Sequence, residues 1–202
     1  MSELAFVEET HSYVYEGVLV PSVTKILGDL TIMKRLDPAL LEAARDRGRR
    51  VHKAVHYFNE GNLDENTLDE ADEPYLRAWK RFVADYGFEW SWGERALYSE
   101  KWGFAGTPDC AGSWKRLRRR PRVLLDVKSG VSDPVHGPQT AAYLELAREN
   151  DMIDKRDQSD RAVVRLQPNG FYQVDPMLDP ADWSTFMAAL TCYRFKERNG
   201  LL

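Results

Sequence analysis

Asp109, Asp126 and Lys128 are the residues whose types and spacing could do chemistry. Gly103-Phe-Ala-Gly-Thr-Pro-Asp-Cys-Ala-Gly112, a basic linker and Val123-Leu-Leu-Asp-Val-Lys-Ser-Gly130 read as two strands joined by an exposed hairpin tip. Asp109 falls on the first strand, Asp126 and Lys128 on the second. Side chains alternate across a strand, so Asp126 and Lys128 share a face while Val127 points the other way, into a core. A carboxylate and an ammonium in such an apolar run are costly unless paired or metal-bound. Two acids and an amine gathered there could hold a divalent cation against a phosphate. The same residues also fit a buried ion pair, and Asp109, after Gly-Thr-Pro, also fits a turn.

The surrounding elements must position them. Phe6 to Val20 alternates and carries Glu16-Gly17, which predicts a small hairpin. Ser22 then caps a short helix containing Val23, Ile26 and Leu27. Asp37-Pro38 opens a longer helix that runs to about Asn59 and closes at Gly61. Its apolar face is Leu41, Ala44, Gly48, Val51, Val55 and Phe58, with His52 on the edge. The acidic stretch 60–73 reads as a loop. Tyr75, Trp79, Phe82, Val83 and Tyr86 give a third helix ended by Gly87, and residues 88–100, aromatic and ending in Glu94-Arg-Ala-Leu-Tyr-Ser99, read as a strand leading into the central hairpin. Pro138 opens a helix carrying Gln139 and Tyr143 one turn apart. Strands at 162–166 and 171–174 follow, separated by the turn Pro168-Asn169-Gly170. A last helix from Asp179-Pro180 buries Trp183, Phe186, Met187, Leu190 and Tyr193. Helix, three strands, helix, strand is an α/β (α+β) layout with a central mixed sheet flanked by helices. One domain spanning 1–202 is expected: an N-terminal hairpin and helix (1–30), a core (38–175) and a C-terminal helix (179–199).

The chain of 202 residues is 43% apolar and 30% charged, the composition of a folded soluble protein. Its formal charge of −4 excludes a uniformly basic coat, though local patches decide nucleic-acid binding. Only Cys110 and Cys192 are present, so a four-thiolate zinc or iron–sulfur site within the chain is excluded. No signal peptide or membrane span is evident, and the cytoplasm is the expected location. No phosphate-binding Gly-x-x-x-x-Gly-Lys-Ser/Thr loop occurs, so no nucleotide cofactor is expected. His52 and His56 sit four apart, but Lys53 stands where a zinc protease needs glutamate.

Pro108-Asp109 followed by Asp126-Val127-Lys128 matches the PD-(D/E)xK nuclease pattern. The order Gly48-Arg-Arg-Val-His52, Glu94, Gly106-Thr-Pro-Asp109, Asp126-Val-Lys128 and Gln139-Thr-Ala-Ala-Tyr143 resembles its RecB-like exonuclease branch. Val20-Pro-Ser-Val-Thr-Lys-Ile-Leu27 resembles phage-borne members, and the resemblance spans roughly residues 20–150. It implies a restriction-endonuclease-like core and a Mg²⁺- or Mn²⁺-dependent DNA exonuclease of phage or prophage recombination or repair. It further implies His52, Asp109, Asp126, the Val127 backbone carbonyl and Glu94 around the metal. Lys128 would orient water and offset negative charge. Gln139 would brace the Lys128 region or the substrate, with Tyr143 against the strand. The partners implied are DNA and a separately encoded single-strand annealing protein or helicase, in a bacterial host cell if phage-encoded. Branch members that hold an iron–sulfur cluster use four cysteines, which this chain lacks. A structure-specific endonuclease and a non-catalytic DNA-binding recombination protein remain alternatives.

Several of these residues also have bland readings. His52 fits a core-edge histidine, and Glu94 competes with Glu89 and Glu100. Gln139 and Tyr143 fit helix surface and core. The run Lys115 to Arg122, including Arg118, Arg119 and Arg120, fits a solvated turn as well as a phosphate contact. Arg45, Arg49 and Lys53, around His52, form a second candidate DNA track.

Overall fold

Local signals set most element boundaries. In a computed structural model, residues 4–8, 10, 12–35, 37–115, 122–157 and 159–202 are described, with backbone alone at 34 and 35. Three short strands, β1 (Leu4–Val7), β2 (Ser12–Tyr15) and β3 (Val18–Val20), form an antiparallel sheet. The expected turn at Glu16-Gly17 joins its last two strands, and β1 adds a third. Ser22 caps α1 (Val23–Ile26) by accepting the Lys25 N–H. Asp37 caps α2 (Pro38–Glu60) by accepting from Ala39 and Leu40, and left-handed Gly61 closes it. After a 3-10 turn at Glu65–Thr67, α3 (Glu73–Tyr86) follows.

The region expected as one strand is two. β4 (Phe88–Trp92) joins the main sheet, whereas β5 (Leu97–Ser99) pairs with β6 (Phe104–Gly106) in a separate ribbon. The first strand of the central hairpin, β7 (Cys110–Trp114), therefore begins one residue after Asp109. β8 (Arg122–Lys128), α4 (His136–Glu149), β9 (Asp160–Leu166), β10 (Tyr172–Pro176) and α5 (Asp182–Arg198) complete the chain.

The five-stranded sheet has the order β10-β9-β8-β7-β4. Its β8–β9 pair is parallel and its other pairs are antiparallel, so the sheet is mixed. α4 makes the crossover that a parallel pair requires. Val123, Leu125 and Val127 of β8 pack with Val51, Val55, Trp79 and Phe82 of α2 and α3. Leu124 packs on the opposite face with Leu146, Phe186 and Leu190 of α4 and α5. The sheet is thus covered by helices on both faces, as expected. β8 reads as a near-continuous apolar run because both of its faces are buried. Asp126 and Lys128 share the parity of Leu124 and hence face α4. Among the described residues no helix is long and apolar enough to cross a membrane.

Candidate metal centre

Asp126 is fully buried near the end of β8. Lys128, two residues on, places its Nζ 3.0 Å from Asp126 Oδ1 and 2.8 Å from Oδ2. Gln139, on the first turns of α4, donates Nε2–H to Asp126 Oδ1 at 3.2 Å and to the Tyr143 hydroxyl at 3.2 Å. Gln139 and Tyr143 therefore act as a brace behind Asp126; the amide is buried and turned to the protein. Asp126 Oδ2 lies against the ammonium but has no aligned hydrogen-bond partner among the described residues.

Val127 joins this arrangement to a second cluster through its backbone. Its N–H donates to Asp109 Oδ2 at 2.7 Å, and its carbonyl accepts from His52 Nε2 at 2.6 Å. With Nε2–H committed to that carbonyl, Nδ1 is the nitrogen turned toward the carboxylates, 3.4 Å from Asp109 Oδ1 and 3.9 Å from Glu94 Oε1. One ligand atom from each of His52, Glu94 and Asp109 lies within 4.8 Å of the other two. Two hard oxygens and an imidazole nitrogen converging in this way fit a divalent cation. Asp126 is outside that trio, with both oxygens facing Lys128, and the Val127 carbonyl is engaged by His52. Of the expected set of His52, Glu94, Asp109, Asp126 and the Val127 carbonyl, the first three thus converge and the last two stand outside the trio.

The backbone explains why Glu94 is chosen over its neighbours. A bulge shifts the register of β4 between Trp90 and Trp92, and Gly93 follows. A Cβ on Gly93 would lie 2.3 Å from the Asp109 carbonyl oxygen, so the close approach requires glycine. Glu94 then adopts φ 50°, left-handed for a non-glycine residue, and donates its N–H to the Pro108 carbonyl at 3.0 Å. Such backbone strain persists only where the surrounding structure enforces it. Glu89 instead pairs with Lys115 at 2.7 Å, and Glu100 accepts from the Tyr15 hydroxyl.

Electrostatics follow from crowding these charges out of water. Burial alone would lower the His52 imidazole, but Asp109 outweighs it and lifts the group to about 9. Burial would raise Asp109, yet His52, Lys128 and the Val127 N–H hold its carboxyl below the usual value. Glu94 is pushed up to about 7 by burial and by the Asp109 charge. Burial pushes Asp126 up to about 6 against the pull of Lys128. Burial would lower the Lys128 ammonium, but Asp126 and Asp109 raise it, so it stays charged at neutral pH.

The candidate DNA track on α2 is taken up by contacts within its own helix. Arg45 pairs with Glu42, and Arg49 with Glu42 and Asp46, all on α2. Lys53 stands over the Tyr57 ring, 5.8 Å from its centroid. Arg118, Arg119 and Arg120 lie outside the described residues. Sequence reasoning missed Tyr13 and Thr107, whose hydroxyls meet at 2.7 Å and tie β2 to the segment before Asp109. Burial raises the Tyr13 phenol, and Glu94 and Asp109 add to the shift, which places it within electrostatic reach of the carboxylates. Thr107 stood inside the Gly-Thr-Pro-Asp motif; nothing local pointed to Tyr13.

No protein-family model matches the chain, and no curated protein does. Among solved structures, a chain from Eubacterium rectale described as "putative exonuclease" is similar at a TM-score of 0.45 and 11% identity. The match covers 77% of this chain and 69% of that one.

Proposed function

We propose that the chain is a divalent-metal-dependent nuclease of the PD-(D/E)xK type that hydrolyses DNA. In this reading it is an exonuclease of phage or prophage recombination or repair, working with a separately encoded annealing protein or helicase. The observation that carries the reading is the convergence of His52, Glu94 and Asp109 beside the Asp126–Lys128 pair. His52, Glu94 and Asp109 would hold Mg²⁺ or Mn²⁺, with Asp126 at the border of the site. When bound, the cation supplies a Lewis acid that offsets phosphate charge and acidifies water.

The remaining work falls to the chain's own groups. Lys128, kept as an ammonium by Asp126, is a donor and positive charge for a phosphate oxygen, not a base. Asp126, fixed by Gln139, holds that ammonium in place. Glu94, pushed up to about 7 by burial and by Asp109, would give up its proton on taking the cation.

The test is digestion of end-labelled linear single- and double-stranded DNA with Mg²⁺ or Mn²⁺, by wild type beside Lys128→Ala. The variant should lose about 100-fold or more in rate, the size of effect from deleting one charge-stabilising donor. Sparing of covalently closed circles identifies an exonuclease, and cutting of circles an endonuclease. A wild type without activity, or a fully active Lys128→Ala protein, overturns the reading.

A further inference from the structure

Arg45 and Arg49 on α2 are occupied by acids of their own helix and Arg50 by Asp72, so a nucleic acid strand would need a grip elsewhere. A different surface has unclaimed charge. Phe171, at the end of the β9–β10 turn, is 53% exposed. The Arg81 guanidinium lies over its ring, 4.5 Å from the centroid. Arg77, one turn earlier on α3, rests against Gly170; a Cβ there would come 2.7 Å from Arg77 Nε. Both arginines are exposed, and among the described residues neither is in an ion pair. Asp85, one turn beyond Arg81, accepts instead from the Tyr172 hydroxyl at 2.8 Å.

The hairpin geometry does not call for an aromatic here. Asn169 accepts the Phe171 N–H, Gly170 N–H bonds the Gln167 carbonyl, and Gln167 N–H bonds that of Phe171. The turn is complete through backbone and Asn169, and the ring is surplus to it.

The location matters as much as the chemistry. β8 and β9 run parallel with Lys128 opposite Arg165, so the 167–171 turn leaves the sheet at the same end as Lys128. The α3 N-terminus lies toward that end too: buried Asp72, just before α3, is paired to Arg50, two residues from His52. The carboxylate cluster and Phe171 therefore lie toward the same end of the sheet.

Resting on the nuclease reading above, we propose that Phe171 with Arg77 and Arg81 is a stacking platform that holds single-stranded DNA outside the cleavage centre. An exposed aromatic takes any base by its π-face, and flanking guanidinium groups pair with the backbone. Duplex DNA, with its bases stacked internally, offers phosphates alone to such a surface.

The test measures affinity for a fluorescently labelled single-stranded oligonucleotide by anisotropy, in Ca²⁺ to avoid turnover, across a salt series. Phe171→Ala should weaken binding about ten-fold, with Phe171→Trp restoring it. Arg77→Gln/Arg81→Gln should lower the slope of log affinity against log salt by about 1.4, two phosphate contacts on a single strand. Hydrolysis of a small chromogenic phosphodiester, too short to reach the platform, should be unchanged in all three, which also reports intact folding. Wild-type affinity in Phe171→Ala, or an unchanged salt slope in the arginine variant, overturns the platform. Wild type that cleaves neither DNA nor the chromogenic diester overturns the nuclease reading instead. An effect equal on duplex and single strand overturns the stacking role.

Discussion

Individual side chains in the candidate centre are set apart by what their neighbours do to charge. Glu94 and Glu89 are five residues apart, yet one faces His52 and Asp109 while the other pairs with Lys115 at the sheet edge. Glu94→Ala should therefore cut metal-dependent DNA hydrolysis by about 100-fold or more, with Glu89→Ala close to wild type in the same assay. His136 gives a second residue-scale expectation. It is buried at the start of α4, and burial and the Lys128 charge depress its imidazole to about 4. Between pH 6.5 and 4 the unfolded chain binds the extra proton, so stability from neutral His136 is full above 6.5 and falls as pH drops. Relative to His136→Gln, wild type should lose about 2 kcal/mol between pH 7 and pH 5, measured by urea denaturation at each pH. A constant difference across that range would refute it.

Among the secondary-structure elements, legibility follows how local each signal is. The α2 boundaries were readable because Asp37, Pro38 and Gly61 act within one turn of themselves. The parity of Asp126 and Lys128 was readable because β8 is a regular strand. The division between β4 and β5 was not: a bulge and the Gly93–Asp109 contact make it, and both depend on a strand that arrives later in the chain. The same long-range contact sets Glu94 apart from Glu89 and Glu100; residue type and local spacing left the three open, and only the order of motifs in the family resemblance pointed to Glu94. The Arg45 and Arg49 pairings, by contrast, lay open in the three-residue spacing to Glu42 and Asp46. Gly93→Ala tests the role of the connection. Its Cβ would collide with the Asp109 carbonyl, so a loss of about 1–3 kcal/mol in stability is expected, together with weakened cation binding. Calorimetry on the variant checks both.

At the level of the whole molecule, the ligand trio draws on the middle of α2, the β4–β5 link and the residue before β7. Crowded carboxylates there repel each other until a cation arrives, so Mg²⁺ or Mn²⁺ should raise the melting temperature and chelation should reverse it. A concentration 100-fold above the dissociation constant corresponds to about 2.7 kcal/mol. His52 holds a proton that a ligating nitrogen must give up, so binding below pH 9 should release protons, seen as a buffer-dependent heat in titration calorimetry. Asp109→Asn should abolish both effects.

The hydroxyl contact between Tyr13 and Thr107 spans 94 positions of chain. Its consequence is temporal. A nascent polypeptide cannot assemble this pocket until segments far apart in synthesis have met, so ion uptake during refolding should lag the appearance of helix signal. The cation would then act as a reporter of completed assembly, and a chain missing β2 would show that signal late or not at all.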